Sequence, residues 1–164
     1  YKGALQFIDL CKKSGMKGVL MGSDQYVEDP NFVMEVMRRC DGKQLQYMGE
    51  VSHDLKIHYL QNAKALISPL MVEYAEVFGL NICESMAVGT PVIATRSGAI
   101  PEVIAHGTSG FVAENTLEIL SYLDKLDKID SKACRKWVES NFTKELMAKR
   151  YIELCERVLH GDEW

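Results

Sequence analysis

The sequence predicts an α/β fold built on a doubly wound parallel sheet, and three observations carry that prediction. Short apolar segments alternate with amphipathic helical segments over about the first 113 residues. The apolar segments are continuous rather than alternating, which is typical of parallel strands covered on both faces. Glycine, proline or serine stands at many of the junctions, where turns and helix caps are needed. A Rossmann-like domain has these properties.

Five segments have the composition of buried strands. The first runs from Gly18 to Met21 and is closed by Gly22, and the second is closed in the same way by Gly49. Because the segments are short and mainly apolar, we expect strands of a parallel sheet that is covered on both faces. The predicted strands are residues 18–21, 45–48, 65–68, 91–94 and 110–112.

Helical segments precede and connect these strands. An apolar face at helical spacing begins at Ala4 and stops before Gly15. Pro30 suits the first turn of a second helix, and Ser52 suits the N-cap of a third. A loop over residues 69–77 precedes the fourth helix. The predicted helices begin near residues 4, 30, 53, 79, 101, 116, 131 and 143.

Composition excludes several classes of protein. A chain of 164 residues with 47% apolar and 26% charged residues is expected to form one globular domain over residues 1–164, with C-terminal helices from about residue 116. A net charge of −4 without a basic run argues against nucleic-acid binding. The apolar segments are too short for a transmembrane helix. Because the chain starts at Tyr1 rather than at methionine, we expect it to be part of a longer protein.

The cysteines predict neither a metal site nor a disulfide framework. They are odd in number, widely spread and without metal-ligand spacing. We therefore expect reduced core thiols of a cytosolic protein. The five are Cys11, Cys40, Cys83, Cys134 and Cys155.

Two acids frame the most informative stretch of the chain. Glu76 and Glu84 have seven residues between them, with Gly79 at the predicted start of a helix. Spacing alone proves little, because Glu145 and Glu153 repeat it in a segment that reads as a solvated helix face. Context separates the two pairs: the first pair spans a loop after a buried strand and the helix that follows. This order is typical of a diphosphate site at a helix N-terminus.

Backbone and side-chain groups in this stretch could bind different parts of a ligand. Backbone amides of Phe78, Gly79 and Leu80 would lack partners within the helix and could bind an anion. Glu84, inside the helix, could accept hydrogen bonds from a ribose diol, and Glu76 from sugar hydroxyls. The alternative is that both acids only complement the helix dipole.

Further sequence motifs precede and follow this stretch, and their order along the chain is typical of one protein family. The chain resembles the C-terminal half of retaining GT-B glycosyltransferases, the group called group 1 or family four, over essentially its whole length. The segments that carry the resemblance are Lys2-Gly3, Val19-Leu20-Met21-Gly22, Tyr47-Met48-Gly49, Ser68-Pro69, Glu76-Val77-Phe78-Gly79-Leu80, Glu84-Ser85-Met86-Ala87, Gly89-Thr90-Pro91-Val92, Gly98-Ala99-Ile100-Pro101-Glu102 and Gly107-Thr108-Ser109-Gly110.

The resemblance implies a set of site residues. Glu76 would contact donor-sugar hydroxyls as the candidate catalytic residue, and Glu84 would hold the ribose. Lys2 would pair with the diphosphate, although a frayed terminal lysine is the simpler alternative. The full set expected to bind donor sugar and diphosphate is Lys2, Val77, Phe78, Gly79 and Leu80.

One position departs from the family pattern. A second glycine usually follows the one at position 98, and Ala99 stands there instead. The departure puts the backbone geometry of this loop in question.

The function implied is transfer of a sugar from a nucleoside diphosphate to an acceptor with retention, with no metal or other cofactor. The acceptor would bind a preceding Rossmann-like domain absent from this chain, so the isolated chain is expected to transfer poorly. A cytoplasmic location is expected, with membrane association through the missing domain. Two alternatives stay open: half of a non-hydrolysing sugar-nucleotide epimerase, and a non-catalytic nucleotide-binding module.

Overall fold

The computed structural model describes residues 2–25, 27–71 and 73–161, so Val72, in the predicted loop before the fourth helix, lies outside it. Strands and helices alternate as the sequence predicts. The strands are β1 Gly18–Leu20, β2 Leu45–Tyr47, β3 Leu66–Ser68, β4 Val92–Thr95 and β5 Gly110–Ala113. The helices are α1 Ala4–Ser14, α2 Pro30–Arg39, α3 His53–Asn62, α4 Leu80–Ala87, α5 Ile100–Val103, α6 Thr116–Leu123, α7 Ser131–Asn141 and α8 Lys144–Leu159, with a 3₁₀ turn at Leu126–Lys128.

The described strands pair in parallel but form two sheets. One sheet joins β1 to β2, and the other has the order β3-β4-β5. In the larger sheet Ile93 lies opposite both Ile67 and Phe111. The sequence predicted a single sheet. Within the described ranges no backbone hydrogen bond links β1 to β3, and residues of both strands line one cavity.

Helices cover both faces of the three-stranded sheet, which confirms the doubly wound arrangement. Successive residues of β4 point in opposite directions, as strand geometry requires. Val92 and Ala94 pack with α4 and α7, while Ile93 packs with α1 and α6. All three are completely buried, and burying one such aliphatic side chain stabilises the fold by roughly 1.5–3 kcal/mol.

The predicted helix starts rest on local hydrogen bonds. Pro30 occupies the first turn of α2, and the Asp29 carboxylate before it accepts from the backbone N–H of Asn31 at 2.9 Å. The Ser52 hydroxyl caps α3 by accepting from the N–H of Leu55 at 3.3 Å. Both helices therefore begin where the sequence places them. None of the helices in the described part of the chain could cross a bilayer.

The cysteines are free thiols, but not all of them are core residues. Cys11, Cys83 and Cys134 are buried, and burial raises the pKa of each to about 11. Cys40 is half-buried and Cys155 is exposed. The expectation of a core position was therefore wrong for Cys155, because α8 buries none of its residues against the rest of the domain.

Candidate functional site

Glu76 lies in the loop between β3 and α4 and is held there by its backbone. It is only 7% exposed. Its N–H donates to the Ser97 hydroxyl at 3.4 Å, and its carbonyl accepts from the N–H of Ala99 at 2.8 Å. The Ser97 hydroxyl donates in turn to the carbonyl of Tyr74. The loop after β4 thus fixes the position of the Glu76 carboxylate.

Lys2 contacts that carboxylate directly. Its Nζ lies 2.5 Å from Glu76 Oε2 and 4.5 Å from the centre of the Tyr74 ring. Burial alone would lower the pKa of Lys2, but hydrogen bonds and charge interactions with Glu76 and Tyr74 outweigh it and raise that pKa above its ordinary value. The ammonium therefore stays charged at neutral pH. In the structure Lys2 thus pairs with Glu76, and its role toward a diphosphate stays a prediction.

The departure at Ala99 does not disturb this loop. Gly98 takes the left-handed conformation with φ +49°, and a Cβ there would lie 2.2 Å from the carbonyl oxygen of Glu76. Ala99 has φ −76° and ψ −1°, which any residue adopts. The geometry therefore requires glycine at position 98 and not at position 99.

The N-terminus of α4 opens beside Glu76. Gly79 caps the helix with φ +85°, a conformation that favours glycine. The N–H groups of Phe78, Gly79 and Leu80 make no hydrogen bond within the described ranges. Leu80 is 72% exposed and Val77 is 86% exposed, so side chains do not seal this end of the helix. It is thus available to an anion.

Phe78 anchors the same turn to the core. Its ring packs edge-to-face against Phe142 at a centroid distance of 5.5 Å. This contact ties the start of α4 to the residue that follows α7. Phe78 can therefore offer its backbone, and not its ring, to a ligand.

Glu84 lies in the last turn of α4, half-exposed, and pairs with a residue that the sequence did not single out. Its Oε1 accepts from Lys56 Nζ of α3 at 2.8 Å. An acid near the C-terminus of a helix opposes the helix dipole. The dipole therefore does not explain Glu84, although it would favour Glu76 just before the helix.

A cavity of about 790 Å³ runs between β1 and β3. Its polar lining residues include Lys2, Lys56, Asn81 and Glu84. Glu76 and residues 77–80 are absent from its lining. The structure thus brings Lys2 and Glu84 to one cavity and joins Glu76 to it only through Lys2.

The sequence analysis missed Lys56, Tyr74 and Ser97. Lys56 lies in the first turn of α3, where a lysine opposes the helix dipole. That unfavourable position is the sequence feature that could have identified it. Tyr74 and Ser97 act through a contact between two loops, which spacing along the chain does not reveal.

The second acid pair lies on a solvated helix face, as predicted. Glu145 and Glu153 both belong to α8, and their side chains are 71% and 55% exposed. Glu153 pairs with Lys149 of the same helix at 3.7 Å. The spacing shared with Glu76 and Glu84 therefore carries no function by itself.

Comparison with known proteins gives these features a family. The sequence model of the family described as "Glycosyl transferases group 1" matches residues 2–143. The chain belongs to this family. The chain is 33% identical over 103 residues to N-acetyl-alpha-D-glucosaminyl L-malate synthase of Bacillus anthracis, and the match covers 57% of this chain and 27% of that protein. It spans well under half the length of the curated relatives it matches.

Solved structures share the fold of this group 1 chain. The HepE protein of Anabaena, solved in complex with UDP-glucose, has a TM-score of 0.78 at 17% identity, over 95% of this chain and 45% of that one. The C-terminal domain of a glycosyl transferase group 1 protein of Francisella tularensis has a TM-score of 0.70 at 22% identity, over 87% of this chain and 80% of that one. These matches confirm the predicted fold class, the C-terminal half of a GT-B fold. The roles of the individual site residues stay predictions.

Proposed function

We propose that this domain binds the donor of a retaining glycosyltransferase, a nucleoside diphosphate sugar, and that the acceptor binds a separate Rossmann-like domain. The observation that carries the proposal is that Lys2 contacts Glu76 beside the open N-terminus of α4 and lines one cavity with Glu84. A cation and unpaired helix amides suit a diphosphate. Acids on either side suit the hydroxyls of two sugars. UDP-glucose in a protein of the same fold is consistent with this ligand class.

Two kinds of group would donate hydrogen bonds to the diphosphate: backbone amides and a lysine ammonium. The N–H groups of Phe78, Gly79 and Leu80 point out of the helix end, and Val77 is exposed beside them. An ammonium has three N–H groups, so Lys2 can keep Glu76 as a partner and still donate to a phosphate oxygen. Both donor types stabilise the negative charge that grows on the leaving diphosphate.

Glu76 and Glu84 would accept from different hydroxyls. Glu76 is fixed by backbone hydrogen bonds and is our candidate for contact with the donor sugar at the reacting centre. Glu84 keeps Oε2 free of described hydrogen bonds beside the cavity and would accept from the ribose diol. We further propose that this binding needs no metal, and that the product keeps the anomeric configuration of the donor, which NMR of the product would test.

The ribose role is tested by Glu84→Gln. We expect the dissociation constant of the preferred nucleoside diphosphate to rise about tenfold or more, because hydrogen bonds to an ionised acceptor contribute roughly 1.5–3 kcal/mol. Uridine, guanosine and adenosine diphosphates are titrated by calorimetry in the presence of EDTA, which also tests metal independence.

Glu153→Gln is the matched control, since Glu153 has the same spacing and also pairs with a lysine. It should leave affinity unchanged. Equal affinity of wild type and Glu84→Gln for every nucleotide would contradict the ribose role. Absence of any nucleoside diphosphate binding to the wild type would contradict the proposed function itself.

A further inference from the structure

The contact between Lys56 and Glu84 joins two helices at the cavity. Lys56 is the fourth residue of α3. Its backbone N–H donates to the backbone carbonyl of Ser52 at 3.0 Å, so the helix fixes the position from which its side chain extends. Its Nζ reaches Glu84 Oε1 at 2.8 Å. Both side chains are 34% exposed, and both line the cavity.

Fold stability does not account for this pair. An ion pair so open to solvent contributes little, because water screens the charges and two long side chains must be ordered. Each residue also lies at the unfavourable end of its own helix: the lysine in the first turn of α3 and the acid in the last turn of α4. Two charges placed against their helix dipoles, yet aimed at one cavity, point to a ligand.

Lys56 would reduce the repulsion between Glu84 and a negatively charged ligand. A nucleoside diphosphate carries negative charge, and an unpaired Glu84 carboxylate in the same cavity would repel it. A neighbouring ammonium offsets that repulsion. It also holds one carboxylate oxygen, so the other oxygen presents a fixed direction to a hydroxyl pair.

We propose that Lys56 is a positioning residue: it holds Glu84 by Oε1 so that Oε2 faces the ribose diol of the donor. The proposal rests on the proposed function, because it assigns Lys56 a role only through the ribose contact of Glu84. It makes recognition of the ribose, rather than of the diphosphate, depend on α3.

The test compares affinity for a ribonucleoside diphosphate with affinity for its 2′-deoxy form. The wild type should prefer the ribo form by about tenfold, the effect of one lost hydrogen bond to a charged group. Lys56→Met should weaken binding of the ribo form about tenfold and the deoxy form less, so most of the preference disappears. Lys56→Arg should restore much of it, because the guanidinium keeps the charge and the donors.

Lys149→Met is the control, since Lys149 pairs with Glu153 on the exposed face of α8. It should leave both affinities unchanged. A Lys56→Met protein that folds and keeps the wild-type ratio would overturn the role of Lys56 and leave the proposed function standing. If Lys56→Met does not fold, the same ratio measured on Lys56→Gln decides. A wild type that binds no nucleoside diphosphate overturns both.

Discussion

Gly98 shows at the scale of one residue how the site depends on backbone contact. A methyl group at this position would collide with the Glu76 carbonyl, and the loop would have to move the acid that it fixes. Gly107 has a similar left-handed conformation, φ +80°, but open space around its Cβ position. A side chain at either glycine would strain the backbone, but only a side chain at Gly98 would also collide with a neighbouring atom.

We expect Gly98→Ala to be destabilised by more than Gly107→Ala. Strain alone costs of order 1–3 kcal/mol at either position, and the collision adds to it only at Gly98. Urea unfolding of the two variants measures the difference, and a nucleotide titration measures the effect on the site. Equal losses of stability, with affinity unchanged in both, would show that the contact between Gly98 and Glu76 is not a constraint.

The same scale shows what the sequence could and could not predict about the site. The motif order led to Lys2, Glu76 and Glu84, and the structure pairs Lys2 with Glu76, while their roles toward a ligand stay predictions. Lys56 was not predicted, because its contact depends on how α3 packs against α4 and not on a local pattern. The Ala99 departure looked consequential in sequence, but its φ is ordinary.

At the scale of the elements, a buried hydroxyl ties α3 to the turn before β4. Thr90 Oγ1 donates to the carbonyl of Leu60 at 2.5 Å, and Ser85 Oγ donates to the carbonyl of Thr90 at 3.1 Å. Thr90 and Ser85 are buried, so both hydroxyls are shielded from water. These bonds help to set the relative position of the helices that carry Lys56 and Glu84.

Thr90→Val should lower the free energy of unfolding by about 1–2 kcal/mol, because it keeps the side-chain shape and removes one buried hydrogen bond. Thr108→Val, at an exposed position, is the control and should stay within about 0.5 kcal/mol of the wild type. Denaturant unfolding provides both values. A Thr90→Val protein as stable as the control would mean that the hydroxyl contributes nothing net.

The elements themselves were largely predictable. Short, mainly apolar runs identified all five described strands, and Pro30 and Ser52 located two helix starts, because strand composition and helix capping are local properties. The division into two sheets was not predictable. It depends on the distance between β1 and β3, which are separated along the chain by α2, β2 and α3.

At the scale of the whole molecule, buried thiols link stability to pH. Cys11, Cys83 and Cys134 have pKa values of about 11 in the fold against 9.0 ordinarily, because burial disfavours the thiolate. A raised pKa in the fold means that the unfolded state loses protons first as the pH rises. Stability is therefore complete below about pH 9 and declines between pH 9 and pH 11.

We expect the urea midpoint to fall between pH 8.5 and pH 10.5, values that bracket the ordinary thiol pKa. Tyr47 and Tyr122 act in the same direction, since burial is the main cause that raises the pKa of each. Cys134→Ala is the control and should flatten the decline. A midpoint that does not change over this range would contradict the assignment.

Because β1 and β3 are not paired, we expect the domain to unfold less cooperatively than one with a continuous sheet. The β1–β2 sheet and the β3–β5 sheet share no backbone hydrogen bond within the described residues, and α1 packs against both β1 and α6. Such a segment can open as a local unit while the rest of the core stays intact. Lys56 of α3 pairs with Glu84 of α4, so a donor bound to Glu84 would favour the conformation in which these two helices stay in contact. Binding of the donor would then raise the free energy needed to open this segment locally.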